Sequence, residues 1–279
     1  MKKILYGVVA ALLGSTASFA ADIYQPVADP APIYEQPVQV AEASGWYLRG
    51  DIGYSFNKLR GAHYFQGSNS LVRDFDTAEI DDSFSGGVGV GYQITNHLRT
   101  DLTLDYFGAD FRGSTSGSCG VAAACTSTDI SKMTAWSLMA NAYVDLATYG
   151  VFTPYVGAGI GGTHVNWKGL NNTSCETGNP ANCDPTVEHG GRKGWRFSYA
   201  LMAGASIDVT CNIKADVGYR YRRIEGGDFF GFASNGGPGS DKGFESHEGR
   251  VGMRYAFGGC QEQAYIPPVE IPVEQPVYK

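Results

Sequence analysis

Past residues 1–20 this sequence has no long apolar run, and only 18% of it is charged. A membrane-spanning helix needs about 20 apolar residues, so nothing after the N-terminus can form one. A basic excess is also missing: 21 Lys and Arg stand against 28 Asp and Glu, a net charge of -7. That balance excludes the electrostatic footprint of a nucleic-acid binder, and no nucleic-acid partner is expected. No Cys-x-x-Cys pair occurs, and the cysteines are flanked by Ser, Gly, Asn and Ala, which argues against a zinc site. The histidines are scattered: His63 and His189 fall in long connections and His97 in a short one. No Ser/His/Asp spacing and no metal-ligand cluster stands out, so neither an enzyme nor a cofactor is expected.

What the chain does have begins at its N-terminus. Lys2 and Lys3 precede an apolar core from Ile4 to Leu13, and small residues end at Ser18-Phe19-Ala20. This is the layout of a secretory signal peptide over residues 1–20. Export suits the six cysteines, whose count alone leaves the connectivity open. Two Pro-rich segments, 21–44 and 259–279, read as extended periplasmic tails, and both contain Glu-Gln-Pro-Val.

Between the tails lie eight segments with period-2 alternation, the signature of strands whose two faces meet different surroundings. In the first, Trp46, Leu48, Ile52, Tyr54 and Phe56 share one face; Tyr47, Arg49, Asp51 and Ser55 share the other. The connections alternate in length: 58–82 long, 95–97 short, 112–131 long, 147–151 short, 168–194 long, 210–212 short, 224–246 long. A soluble barrel has no reason to gather its long loops at one end, whereas a transmembrane barrel does. The expected fold is therefore all-β, an eight-stranded antiparallel transmembrane barrel over 45–258 with long extracellular loops and short periplasmic turns.

The apolar faces must then point outward. Trp46, Tyr92, Tyr149, Phe152, Tyr255 and Phe257 fall near the short-turn ends. Tyr54, Phe56, Phe84, Tyr106, Trp136, Trp167, Trp195, Phe197, Tyr219 and Tyr221 fall near the long-loop ends. Two aromatic girdles match the two faces of a bilayer. The other face carries Arg49, Arg99, Arg196, Lys214, Arg220, Arg222, Arg250 and Arg254. Beside them stand Asp51, Asp101, Asp105, Asp145, Asp208, Asp216 and Glu248. Each basic group turned to lipid near the midplane would cost about 2–4 kcal/mol. Several would exceed a typical total stability of about 5–15 kcal/mol. These residues are expected to form an inward charge network that fills the barrel. The glycines at 87, 89, 91, 157, 159 and 161 either thin the lining into a narrow conduit or make room for Arg and Tyr side chains.

The last strand, Arg250-Val251-Gly252-Met253-Arg254-Tyr255-Ala256-Phe257, resembles the assembly signal of outer-membrane barrels, although 22 residues follow it. With the signal peptide, Gly45-Trp46-Tyr47, the Tyr155–Gly159 run and Asp216-Val217-Gly218-Tyr219-Arg220-Tyr221, the chain resembles the small porin-like surface-antigen barrels of alphaproteobacteria. The resemblance implies an outer-membrane protein of a Gram-negative bacterium that supports envelope integrity and presents loops. It implies outer-membrane lipid, lipopolysaccharide and the barrel-assembly machinery as partners, and a covalent link to peptidoglycan through a mature N-terminus at Ala21.

Loop topology suggests pairing Cys119 with Cys125, Cys175 with Cys183, and Cys211 with Cys260, the last stapling the C-terminal tail to the barrel base. Three other functions stay open: a narrow porin, a ligand-binding adhesin, and a lipid A-modifying enzyme around Ser246-His247-Glu248. Against the last, His247 sits on the outward parity and reads as an interfacial histidine.

Overall fold

Alternation of β-branched and aromatic residues with small or charged ones produces long strands because both sets are accommodated, one on each side of a pleated wall. The computed structural model describes residues 45–66, 71–234 and 236–259. Eight long strands form the wall: β1 (Gly45–Leu59), β2 (Ser83–Gln93), β3 (Leu98–Gly117), β4 (Cys125–Asp145), β5 (Phe152–Trp167), β6 (Lys193–Asp208), β7 (Ile213–Ile224) and β8 (Phe244–Ala256). Each pairs antiparallel with its sequence neighbour, and β1 pairs with β8, so the ring closes without an edge. Residues 1–44 and 260–279, with Ala21 and Cys260 among them, lie outside the described residues.

The short connections are tight turns. Thr95 Oγ1 accepts from the N–H groups of His97 and Leu98, and Thr210 Oγ1 does the same for Asn212 and Ile213. A hydroxyl in this position substitutes for a missing ladder bond at the bend. Gly150, at φ 64°, takes the left-handed conformation in the third such turn.

The long connections differ from the expectation of irregular surface loops. The second is short, because β3 runs to Gly117 and β4 starts at Cys125, leaving only 118–124 between them. The first and fourth fold into a separate four-stranded sheet. In it, Gly236–Asp241 pairs with Gly227–Phe230 on one side and with Ala62–Gln66 on the other, and Leu71–Asp74 completes the edge. The third loop adds Leu170–Glu176 to the β4 extension. Backbone groups at the mouth of the barrel are thus paired rather than left to solvent.

Candidate functional site

The interior has two storeys. From the short turns up to Glu248, inward side chains are mostly charged or hydroxylic; above it an apolar cluster gathers, with Arg196, Arg222, Ser198, Ser246 and Asp241 buried at its margin.

The lower storey is built around Arg220. Its Nη1 donates to Asp105 Oδ2 at 2.8 Å and its Nη2 to Glu248 Oε2 at 2.8 Å. Arg250 Nη2 donates to the other Asp105 oxygen at 2.9 Å, and Ser85 Oγ to Glu248 Oε1 at 2.8 Å. Nearer the turns, Arg49 holds Asp51 through two bonds of 2.8 and 2.7 Å and reaches Asp101 at 2.7 Å. Asp101 also accepts from Asn141 Nδ2 at 2.7 Å and Tyr47 Oη at 3.1 Å. Arg99 bonds Asp145 at 3.1 Å, and its guanidinium lies 4.1 Å from the Tyr143 ring centroid and 4.6 Å from that of Tyr155. Arg254 grips Asp216, which accepts from Ser206 as well. Because each of these buried pairs meets in good geometry, the desolvation penalty is offset; removing one partner would expose it in full.

The glycines explain how so many long side chains fit. A Cβ at Gly91 would overlap the Tyr47 ring, and one at either Gly204 or Gly218 would overlap the Tyr155 hydroxyl end. The glycines make room rather than a passage. A residual cavity of about 10 Å³ lined by Arg49, Asp51, Tyr143, Tyr155, Met202 and Arg220 is at the lower limit for a single water molecule.

The upper storey is a hydrophobic cap. Phe107 and Phe111 of β3, Met133 of β4, Trp167 of β5 and Phe244 of β8 pack with Phe229 and Phe230 of the fourth loop. Ring centroids of Trp167 and Phe229 are 4.2 Å apart, and those of Phe111 and Phe229 4.6 Å. Phe75, Ala62 and Ile80 of the first loop close the other side. Trp167 is therefore not a girdle residue as expected: its parity turns it inward, and it is 2% exposed.

Arg196 and Arg222 bridge the storeys. Arg196 donates to Asp241 Oδ1 at 2.7 Å, and Trp167 Nε1 donates to Asp241 Oδ2 at 3.2 Å, so a loop acid completes the network. Arg222 lies with its guanidinium 4.1 Å from the Phe107 centroid and 3.9 Å from Glu248. Asp208 and Lys214 depart from the expected interior placement. They pair at 2.7 Å, but both remain partly exposed, because they sit at the short-turn rim.

Beyond the outer girdle, Asp129 of β4 is buried with Asn172, whose Nδ2 donates to it at 2.7 Å. Burial pushes its carboxyl up to about 6, with Asn172 and nearby His189 pulling the other way. Neither Asp129 nor Asp241 belonged to the expected network. Asp241 lies in a Gly- and Ser-rich stretch and Asp129 in a Ser- and Thr-rich one, compositions that conceal a folded core.

Cys119–Cys125 and Cys175–Cys183 form disulfides, and Cys211 is disulfide-bonded, its expected partner Cys260 lying outside the described residues. In Ser246-His247-Glu248, Ser246 and Glu248 are buried inward while His247 is exposed and meets Tyr219 Oη at 2.6 Å. The run is split between opposite faces of the wall, so its serine and histidine cannot act on one substrate. Among the described residues, no group of three His, Cys, Asp or Glu could hold a metal ion.

Comparison with known proteins gives a consistent picture. The family model described as outer membrane protein beta-barrel domain matches residues 8–257. An uncharacterized protein of Brucella abortus (strain 2308) is 39% identical over 279 residues, covering 87% of this chain and 93% of the relative. A Rickettsia bellii (strain OSU 85-389) protein whose given name proposes an adhesin is 28% identical over 223 residues, covering 75% of this chain and 87% of its own. Among solved structures, Neisserial surface protein A aligns with TM-score 0.43 and 19% identity over 77% of this chain and 100% of that one. OprG from Pseudomonas aeruginosa aligns with TM-score 0.46 and 11% identity over 77% and 98%.

Proposed function

The chain belongs to the outer membrane protein β-barrel domain family, and we propose that it acts as a sealed structural barrel that supports the outer membrane and holds a folded platform at the cell surface. The filling of the interior carries this reading. A porin needs a continuous polar passage, and here the Arg220–Asp105–Glu248 knot occupies the lower storey while Phe111, Trp167 and Phe229 occupy the upper. Deletion tests it in the cell. Loss of the protein should sensitise the envelope to detergents and large antibiotics, with uptake of small polar solutes unchanged. An intact envelope with slowed solute uptake would overturn the reading in favour of a narrow porin. The same proposal includes a tether to peptidoglycan through Ala21, which mass spectrometry of purified wall fragments would reveal as a linked N-terminal peptide.

A second reading, adhesion, is favoured by the platform itself. Leu71 and Val72 on its edge strand and Phe232 in the fourth loop are large apolar side chains held in solvent, and an adhesin name attaches to a relative. Exposed apolar residues on an ordered surface suit protein contact. Cells carrying Leu71→Asp and Phe232→Asp should lose host-matrix binding while the barrel still folds. Unchanged binding would remove this reading.

A further inference from the structure

The outward wall differs from one side of the barrel to the other. At the long-loop end of β3 to β6, outward side chains form three stacked rows. The lowest is aromatic: Tyr106 lies opposite Trp136, Trp136 opposite His164, and His164 opposite Trp195. The Tyr106 and Trp136 centroids are 4.7 Å apart, and those of His164 and Trp195 5.4 Å. Above it Thr134, Asn166 and Lys193 are cross-strand partners. The third row holds Asp110 opposite Lys132, with Lys168 next to it, its N–H bonded to the Lys132 carbonyl at 2.8 Å.

Lys132, Lys168 and Lys193 are all exposed. Lys132 has Asp110 at 3.8 Å; Lys168 and Lys193 make no ion pair among the described residues. In a chain of net charge -7, such a cluster runs against composition. The opposite wall at the same end shows the contrast. There Lys58 lies opposite Glu245, which faces Arg223, and Glu225 is 3.6 Å from Arg223, so the signs cancel.

Lower on the lysine side the wall becomes thin. Ala140, Ala142 and Ala158 floor a shallow apolar concavity of about 710 Å³, bordered by Leu102, Ile160 and Trp46. Lysines at the top, rings at the interface and an apolar trough below reproduce, in order, the chemistry of an anionic lipid. The hydroxyl, amide and imidazole of Thr134, Asn166 and His164 lie between rings and lysines, where a sugar would sit.

We infer that this wall binds a phosphorylated glycolipid of the outer leaflet: its phosphate on Lys132, Lys168 and Lys193, its sugar beside Thr134, Asn166 and His164, and its acyl chain running towards the alanine trough. The site is independent of whether the barrel conducts.

The full chain, folded in detergent and given bisphosphorylated lipid A, tests the inference by native mass spectrometry of retained lipid. Changing all three lysines to Gln should weaken retention roughly 100-fold, since each surface cation near an anionic headgroup contributes on the order of fivefold. Lys→Arg at the same positions should restore it, and Lys58→Gln with Arg223→Gln on the opposite wall should leave it unchanged. Dephosphorylated lipid A should bind the wild-type chain weakly, and Ala140→Leu with Ala158→Leu should weaken that remainder further. Equal retention by the triple Gln variant would overturn the site. Equal retention of phosphatidylglycerol would overturn the glycolipid assignment.

Discussion

The lower half of β3 turns Arg99, Asp101 and Asp105 inward and Leu98, Leu102 and Leu104 outward. Its upper half turns Phe107, Ala109 and Phe111 inward and Asp110 and Arg112 outward. One strand, with no break in its alternation, is inside-out below Tyr106 and ordinary above it. Solvent explains the inversion. Below the outer girdle the surroundings are hydrocarbon, so charge is cheapest where other charges can meet it. Above the girdle the surroundings are water, so apolar groups gain by burial and a core forms of the kind soluble proteins have. β4 shows the change less sharply, with Asn141 and Ser137 inward below around Met139, and Ala135 and Met133 inward above before Ser131 and Asp129. On β3 the inward set changes from charged to apolar at the level of the outer aromatic pair Tyr106 and Trp136.

The comparison can be broken most forcefully from the lower storey. Arg220→Met leaves Asp105 and Glu248 buried without their main partner and should destabilise the barrel by about 3–5 kcal/mol, read by urea unfolding in lipid vesicles. Adding Asp105→Asn and Glu248→Gln should return much of that loss. A single-variant cost under about 1 kcal/mol would mean that the charges are hydrated rather than mutually satisfied.

The cap should fail separately. Phe111→Ala empties the centre of the aromatic cluster and should cost about 3–5 kcal/mol. That loss should fall on the loops, seen as faster amide exchange and protease nicking, while heat-modifiable migration of the barrel persists. Simultaneous melting of both storeys would contradict their independence.

Packing of the lower storey is probed more gently by Gly91→Val, which forces a side chain into the Tyr47 ring. Overpacking of this kind costs about 1–3 kcal/mol, and Tyr47→Ala should relieve it in the same unfolding assay.

The smallest effect concerns pH and the upper storey alone. Burial raises the Asp129 carboxyl from an ordinary 3.8 to about 6, so its neutral form is the one that the folded cap favours. That contribution is complete below the ordinary value and is lost as pH rises from about 4 through about 6. Amide protection around Asn172 and His189, corrected for intrinsic exchange, should therefore fall several-fold between pH 4 and pH 7. Asp129→Asn should remove that part of the dependence.

The barrel was legible in the sequence because its signal is local. Period-2 alternation at Trp46–Asn57 and in the seven segments after it needs no partner to be seen, and the alternation of loop lengths supplies the orientation. The inward network followed from the energy of charge in lipid, and Arg49, Asp51, Asp105, Arg220 and Glu248 lie where that argument puts them. The cap was not legible, because its residues come from separate places: Phe75 from the first loop, Phe229 and Phe230 from the fourth, Trp167 from the end of β5. Phe229, Phe230 and Trp167 stand near Gly, Ser or Asn and Phe75 between Asp74 and Asp76, and only tertiary pairing brings them together. Trp167 reads from sequence as a girdle residue for the same reason, since its inward parity appears only when β5 is followed past Ile160. A signal was present at Phe107-Gly108-Ala109-Asp110-Phe111-Arg112, where the apolar residues occupy the parity that carries charge below.

The central claim is a barrel filled at both levels, and single-channel recording tests it most directly. Purified protein inserted into a planar bilayer should hold a flat baseline under applied voltage, while a variant with Arg99→Ala, Tyr143→Ala and Phe111→Ala should show openings. Discrete, reproducible conductance steps from the unaltered chain would contradict the account.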